Sequence, residues 1–433
     1  MYDRLNTIQK SMLQWNEMHP YTAIHAMRIR GALDVTRLRD SLNRSVSTHG
    51  LTRLYLDCAQ FSFRYEGGPA DDCEVRTIVS EEGSLSTLQA EIERQLNLPF
   101  DHSRPFHPFR FLVAPETDSF VLCVVYFHPA ADAESVVWLL RDIATCYLER
   151  EGRGPTDRLE LYPDNRAHLL RRHPLLVVRK LLSLPRQIGN LRRSHRAACR
   201  EANDMTNGFV SFTLGPEELR SLTAAAETWE VTVNDLLMAL LMKSLSPCSA
   251  TRMQARKRRK ISLGCIVNLR KDLGLDGRKV FGVFLGSFTV THEVPAKIGL
   301  RKLARDIASQ TGPIKRHRLY LASPLEMGFA RFIIGLFSPD RQKKFYAKHY
   351  PLWGGITNMN LNRLWPRDDR HAPLDYFRAV STGPVTPLAL SVTTIGDRMN
   401  LGVSYRTTVF SKTEIEKLQY RLQEHLEETR LTL

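Results

Sequence analysis

Residues Phe120–Leu148 read FVLCVVYFHPAADAESVVWLLRDIATCYL, and the predicted fold is built around them. The first part, Phe120–Phe127, is an unbroken apolar run, which is typical of a strand buried on both faces. Pro129 cannot donate a hydrogen bond to a sheet, so the strand is predicted to end at His128. From Glu134 onward the apolar residues recur with helical spacing. The sequence therefore predicts a strand, a short loop and a helix.

The predicted loop carries one imidazole, His128, and one carboxylate, Asp132, with three small residues between them. A histidine on a short loop at a strand end has the rigidity that a general base needs. The same H-x-x-x-D spacing recurs at His371 and Asp375, but that pair follows a charged, proline-containing stretch typical of a surface loop. From the local pattern alone, His128 is either a general base or a buried histidine with a structural role.

The length and composition indicate a globular protein with two domains or lobes. The chain has 433 residues, of which 43% are hydrophobic. It contains no apolar run of about 18 residues that would span a membrane, and its first residues lack the apolar segment of a signal peptide. Seven scattered cysteines without a C-x-x-C pair favour reduced thiols and a cytoplasmic protein over a disulfide framework or a metal site.

The formal net charge of +15 favours an acidic partner: nucleic acid, an anionic membrane, a phosphorylated cosubstrate or an acidic carrier protein. Residues 165–200 carry ten Lys or Arg and no Asp or Glu. Leucines interleave with these bases, and Pro174 and Pro185 are predicted to divide the segment into short helices. Two interpretations stay open: a basic amphipathic surface for a membrane or an acidic partner, or a linker with a solvated face. Nucleic acid is disfavoured, because the neighbours of the bases are aliphatic rather than aromatic.

Strands and helices are predicted in both halves of the chain, so the fold class is α/β or α+β with mixed sheets. The polar stretch Glu149–Pro163 predicts the end of the first lobe. The predicted organisation is an N-terminal lobe at 1–163, a basic helical linker at 164–208 and a C-terminal lobe at 209–433. No dinucleotide-binding glycine pattern, P-loop, H-E-x-x-H or EF-hand loop occurs.

Five stretches, in this order and spacing, resemble the condensation-domain and stand-alone acyltransferase superfamily with the chloramphenicol-acetyltransferase fold. They cover nearly the whole chain: Leu98–Asp101 (LPFD) with Pro105 and Arg110, Phe127–Ala133 (FHPAADA), Ile266–Arg270 (IVNLR) with Gly282 and Gly286, Thr357-Asn358, and Leu388–Leu426. The second stretch is similar to the family motif H-H-x-x-x-D-G.

The resemblance implies two chloramphenicol-acetyltransferase-like lobes that form a V-shaped pseudo-dimer in one chain, a predicted monomer. A substrate tunnel would run between the lobes, past the histidine loop. A thioester donor, on coenzyme A or on the phosphopantetheine arm of an acidic acyl carrier protein, would enter from one face. A small-molecule alcohol or amine would enter from the other. No permanently bound cofactor and no metal is implied.

Carried over residue by residue, the resemblance implies His128 as the general base. Asp132 would pair with Arg270 and support the loop rather than polarise the imidazole. Phe127, Ala133, Thr357 and Asn358 would line the tunnel. Two of these positions depart from the family motif: Phe127 replaces its first histidine, and Ala133 replaces its glycine. In the family, that glycine leaves room for the pantetheine arm.

The sequence therefore favours an acyltransferase that moves an acyl group from a thioester to a hydroxyl or amine acceptor. One alternative is an amide-forming condensation protein that works with peptide-synthetase partners in trans. Another is a catalytically degenerate docking module for a carrier protein. The basic segment 165–200 adds peripheral contact with an anionic membrane as an open expectation.

Overall fold

The structure of the protein is a computed structural model. It describes residues 3–68, 74–78, 85–149, 158–163, 174–197, 199–201, 203–250, 258–293, 298–338, 340–342, 352–366 and 369–431. The helices within these residues are α1 Thr7–Met18, α2 Val35–Thr48, α3 Leu85–Leu96, α4 Ala133–Leu148, α5 Pro174–Arg193, α6 Pro216–Thr228, α7 Val233–Ala250, α8 Arg270–Leu273, α9 Leu300–Arg316, α10 Ser323–Gly335 and α11 Lys412–Leu431.

The strands alternate with these helices along most of the described chain. They are β1 Asp3–Arg4, β2 Thr22–Arg30, β3 Arg53–Asp57, β4 Ser62–Glu66, β5 Val75–Thr77, β6 Phe109–Pro115, β7 Ser119–Phe127, β8 Glu160–Leu161, β9 Asn207–Leu214, β10 Lys260–Asn268, β11 Val280–Phe281, β12 Leu285–Glu293, β13 Gly354–Asn360, β14 Asp375–Val380, β15 Leu388–Ile395 and β16 Arg398–Arg406. The apolar stretch from the start of the sequence is thus β7 and α4, with the loop between them, as predicted.

Two mixed sheets organise the molecule. The first-lobe sheet has the strand order β14-β2-β7-β6-β5, and the second-lobe sheet has the order β12-β10-β13-β15-β16-β9. In the first, β7 lies at the centre, with β2 and β6 antiparallel on either side. Every residue of Phe120–Phe127 is buried, as expected for a central strand covered on both faces. The predicted class, α/β with mixed sheets flanked by helices, is confirmed.

Each lobe has its own apolar core. The first core packs β7 against α2 and α4, and it includes the fully buried Val125, Leu42 and Leu140. The second core packs α7 and α11 against the second-lobe sheet, and it includes Leu240 and Val392. Two separate cores are the expected outcome for a chain of this length. None of the described helices is both long enough and apolar enough to cross a bilayer.

One strand of the second half of the chain lies in the first-lobe sheet. β14 pairs antiparallel with β2, so that Arg378 lies opposite His25. The prediction assigned 209–433 to the C-terminal lobe as a block, and β14 departs from that assignment. Periodicity predicts a strand at 374–380 but carries no information about which sheet it joins. The exact lobe boundaries stay a prediction.

The basic segment differs from its prediction. Pro174–Arg193 is one helix, so the predicted division at Pro185 is wrong. Pro174 starts the helix, where a missing N–H costs nothing. Pro185 removes one hydrogen bond inside it. In the part of the helix that precedes Pro185, Lys180 makes an ion pair of 2.9 Å with Glu326. Arg171 and Arg172, two of the ten bases of this segment, lie outside the described residues.

Candidate functional site around His128

The loop after β7 is held by side chains from two distant parts of the chain. The carbonyl of Pro129 accepts a hydrogen bond from the Gln9 amide nitrogen at 3.1 Å. The carbonyl of Ala130 accepts one from the Tyr162 hydroxyl at 2.6 Å. Buried carbonyls need such partners. Because two successive loop carbonyls are bonded in this way, the backbone that carries His128 has little freedom to move.

The third loop carbonyl determines the tautomer of His128. Nδ1 of His128 lies 3.0 Å from the carbonyl oxygen of Ala131. A carbonyl can only accept, so Nδ1 carries the proton, and the neutral ring has its lone pair on Nε2. Within the described part of the chain, Nε2 has no hydrogen-bond partner. The ring therefore presents a base at Nε2 to whatever lies beside it.

Burial sets the protonation state of this ring. His128 is 8% exposed, and burial lowers its pKa, against smaller opposing effects of the Ala131 carbonyl and the Asp132 charge. The imidazole is therefore neutral at pH 7. Tyr21 stacks on the ring at a centroid distance of 5.1 Å, and Tyr126 meets it edge to face at 5.8 Å. These two rings fix its orientation.

Asp132 faces away from the imidazole and binds Arg270. Both of its carboxylate oxygens lie 2.8 Å from guanidinium nitrogens in a bidentate pair, so the predicted pairing is confirmed. Its oxygens also accept from the backbone N–H of Ser135 at 3.0 Å, as the N-cap of α4, and from that of Phe284 at 2.8 Å. Burial alone would raise the pKa of Asp132, but the Arg270 charge and these hydrogen bonds outweigh it and hold the pKa below its usual range.

Ser135 and Gly282 complete the connection between the lobes. Arg270 donates to the Ser135 hydroxyl at 2.7 Å, and that hydroxyl bonds both the N–H and the carbonyl of Gly282 at 3.0 Å. Gly282 has φ +153°, and a Cβ there would overlap the Tyr162 ring. The backbone N–H of Asp132 donates to the Gly282 carbonyl at 2.9 Å. The histidine loop is thus attached to second-half residues by a bridge that excludes a side chain at Gly282.

Phe127 and Ala133, two of the predicted tunnel residues, flank the loop. Phe127 is fully buried, packing edge to face on Phe106 at a centroid distance of 5.4 Å and stacking on His102 at 5.8 Å. Ala133 is half-buried as the first residue of α4. A tunnel role for either residue stays a prediction.

Thr357 and Asn358, the other two predicted tunnel residues, lie on β13. Thr357 is half-buried and Asn358 is exposed. The Thr357 carbonyl accepts from the Arg378 guanidinium at 3.2 Å. In the described part of the chain, no hydrogen bond or ring contact joins either residue to His128. Their tunnel role also stays a prediction.

A buried polar layer beneath His128 was not predicted. His25 Nδ1 lies 2.6 Å from the Tyr376 hydroxyl, and His25 Nε2 lies 3.4 Å from the Tyr126 hydroxyl. Burial, Arg378 and His128 lower the pKa of His25. Gln9, Tyr162 and Ser135 were missed as well. Ser135 could have been found, because an aspartate that caps a helix accepts from the backbone N–H three residues later. Nothing local in the sequence indicates Gln9 or Tyr162. No group of metal-ligating side chains occurs among the described residues.

Comparison with known proteins supports the same fold. No protein-family model matches the chain. It is 32% identical over 139 residues to a probable non-canonical nonribosomal peptide synthetase, CymA, from Salinispora arenicola. That match covers 31% of this chain and 2% of the relative, so the matched segment spans a small part of a much longer protein.

Two solved structures extend the similarity to the whole chain. The first condensation domain of the calcium-dependent antibiotic synthetase, in complex with a substrate analogue, has a TM-score of 0.73 at 15% identity, covering 99% of this chain and 97% of that one. The X-domain from teicoplanin biosynthesis has a TM-score of 0.64 at 17% identity, covering 98% and 94%. At these identities the likeness establishes the fold.

Proposed function

Because the chain has the two-lobed fold of condensation domains, we propose that it is an acyltransferase with His128 as its general base. It would transfer an acyl group from a thioester to a hydroxyl or amine acceptor. The observation that carries the proposal is the tautomer of His128, with Nδ1–H bonded to Ala131 and the Nε2 lone pair free of partners in the described part of the chain.

The proposed step needs no acyl-enzyme. Nε2 of His128 takes the proton from the acceptor as the oxygen or nitrogen of the acceptor attacks the thioester carbonyl carbon. The carbon–sulfur bond then breaks, the thiolate leaves, and the imidazolium returns the proton to the sulfur. The lowered pKa of His128 keeps the base unprotonated before each turnover. Among described residues, no serine or cysteine bonds to His128 that would act as a nucleophile.

Asp132 and Arg270 are proposed as positioning residues. Their bidentate pair occupies both carboxylate oxygens, so Asp132 has no oxygen turned to the imidazole. The pair holds the first turn of α4, and through it the loop, at a constant distance from the second lobe. A rigid loop keeps Nε2 in reach of the acceptor, which is what general-base catalysis demands.

The proposed donor is a phosphopantetheinyl thioester on a carrier protein, with acyl coenzyme A as the alternative. The similarity to peptide-synthetase proteins favours the carrier. The net charge of +15 suits an acidic carrier protein and also the phosphates of coenzyme A.

The test is release of free thiol from acyl thioesters offered with alcohols and amines. We expect turnover by the wild-type protein and a loss of about 10²–10⁴-fold in His128→Ala, the usual cost of removing a general base. His371→Ala, in the second H-x-x-x-D stretch, is the matched control and should retain full activity. A folded His128→Ala protein with wild-type turnover would refute the proposal.

Two further functions have an observation in their favour. The match to the CymA peptide synthetase favours an amine acceptor held on a second carrier protein; turnover only with that acceptor would select amide-forming condensation in trans.

Ala133, in place of the family's glycine, favours a docking module without turnover. Overpacking of a donor channel by a methyl group costs about 1–3 kcal/mol, so Ala133→Gly should leave the rate of an active enzyme equal or higher. Activity in Ala133→Gly but none in wild type would support the docking module.

A further inference from the structure

Exposed apolar side chains are concentrated on two neighbouring segments. Nine of the thirteen large apolar residues that are exposed in the described part of the chain lie on α5 or on Ser323–Phe337. Leu182 is 76% exposed, Leu336 is 72% exposed and Phe332 is 68% exposed. Single exposed apolar residues are ordinary, but a concentration of this kind marks an interaction surface.

The two segments form one surface. Lys180 of α5 and Glu326 of α10 make an ion pair of 2.9 Å. Leu176 packs with Leu321 and Ala322, which immediately precede α10. On α10, Leu325 and Phe332 recur at i and i+7, so they share one face, and Leu336 follows directly after the end of the helix. The exposed side chains of α5 and Ser323–Phe337 are named here the α5–α10 surface.

The charge on α5 has one sign. Arg179, Arg186, Arg192 and Arg193 are exposed, and the helix contains no acidic residue. The apolar residues lie mostly in the first half of the helix, and the arginines mostly in the second. A helix with aliphatic and basic groups together on its solvent side is typical of proteins that lie on a bilayer, where the apolar tips enter the acyl boundary and the guanidinium groups meet phosphates.

We propose that the α5–α10 surface docks the protein onto an anionic lipid bilayer. A second copy of the chain is a poor occupant, because it would bring two arginine-rich helices of like charge together. An anionic membrane satisfies both features, since each exposed arginine near a charged surface gains electrostatic energy and each apolar tip leaves water. This docking does not depend on the acyl-transfer chemistry proposed above.

The surface also lies close to the His128 site. Met327 of α10 packs against an apolar cluster that includes Ile8, Met12 and Tyr21, and Tyr21 is the ring stacked on His128. One side of α10 thus faces the bilayer while Met327 contacts the packing around the imidazole. Docking would therefore place α10 between the bilayer and the packing around the imidazole.

The test is sedimentation of the full chain with vesicles of phosphatidylcholine alone or with added phosphatidylglycerol, at low and physiological salt. We expect binding to the anionic vesicles and a steep decrease with salt. Replacing Arg186, Arg192 and Arg193 by Gln should weaken binding roughly a hundredfold at low salt, about fivefold per arginine. The triple variant Leu182→Ser, Phe332→Ser and Leu336→Ser should weaken binding to a similar degree.

Control variants carry comparable changes elsewhere on the surface: Arg220→Gln, Arg301→Gln and Lys302→Gln for charge, and Leu85→Ser with Tyr420→Ser for apolar exposure. These controls should bind like the wild type. Equal losses in the control and test variants would overturn the proposal, as would absence of binding to anionic vesicles. Retention of an acidic carrier protein through the same arginines, without vesicle binding, would assign the surface to a protein partner instead.

Discussion

The motif H-x-x-x-D occurs twice in this chain, and the two copies have opposite surroundings. In the first, His128 and Asp132 are buried, and three of the contacts that hold them reach across the fold: Gln9 and Tyr162 bond the loop carbonyls, and Arg270 bonds the carboxylate. Because both carboxylate oxygens bind Arg270, Asp132 makes no hydrogen bond with the imidazole among the described residues.

In the second copy, the histidine belongs to a peripheral ion cluster that does not include the aspartate of the motif. His371 lies 3.6 Å from carboxylate oxygens of both Glu149 and Asp369. Arg370 joins Glu149 at 3.0 Å with a side chain that is 77% exposed. Asp375 starts β14 and accepts from the Asn400 amide at 2.6 Å. Spacing along the chain is therefore no guide to chemistry; the partners that the fold brings to each side chain decide it.

The largest expected difference concerns the arginine beside each copy. Arg270→Ala leaves the Asp132 carboxylate buried without its counter-ion, which should cost about 3–5 kcal/mol in the free energy of unfolding. Arg370→Ala removes an exposed ion pair and should cost about 1 kcal/mol or less. Urea denaturation of both variants measures the difference. Similar midpoints for the two would mean that the buried bridge contributes no more than a surface pair.

A smaller difference is expected between two glycines with positive φ. Gly282 lies in the bridge, where a Cβ would overlap the Tyr162 ring, whereas Gly396 lines a cavity of about 530 Å³ beside His371 and has nothing within 4 Å of a Cβ. Both alanine variants share backbone strain. Gly282→Ala should lose about 1–3 kcal/mol more through overpacking, measured as a lower Tm. An equal Tm for the two would show that Tyr162 moves aside freely.

The smallest effect is the position of the acid limb of the pH profile. A base works only when unprotonated, and the pKa of His128 is lowered. The value of kcat/KM should therefore stay constant as the pH falls through the ordinary histidine value of about 6.5 and decrease only below it. His371→Gln should give the same profile. An acid limb at or above 6.5 would mean that His128 is more hydrated than its burial implies.

Much of the fold was predictable from local patterns. The apolar run of β7 and the helical spacing of α4 predicted the strand, loop and helix, and the resemblance predicted the pairing of Asp132 with Arg270. Gln9 and Tyr162 were not predictable, because their bonds to the loop join residues far apart in sequence and leave no periodicity. Pro185 misled because helix propensity ignores the tertiary contacts that hold α5 in place. The pairing of β14 with the first-lobe sheet was missed for a related reason, since the pattern of a strand does not indicate which strand it pairs with.

The pairing of β2 with β14 has a consequence for how the protein is made. The edge of β2 that receives β14 emerges from the ribosome more than three hundred residues before its partner. At usual synthesis rates this is a delay on the order of tens of seconds. During that time an open strand edge is available to other nascent chains. A fragment cut at residue 163 would keep that edge permanently, so the N-terminal lobe expressed alone should aggregate unless a peptide containing Asp375–Val380 is supplied.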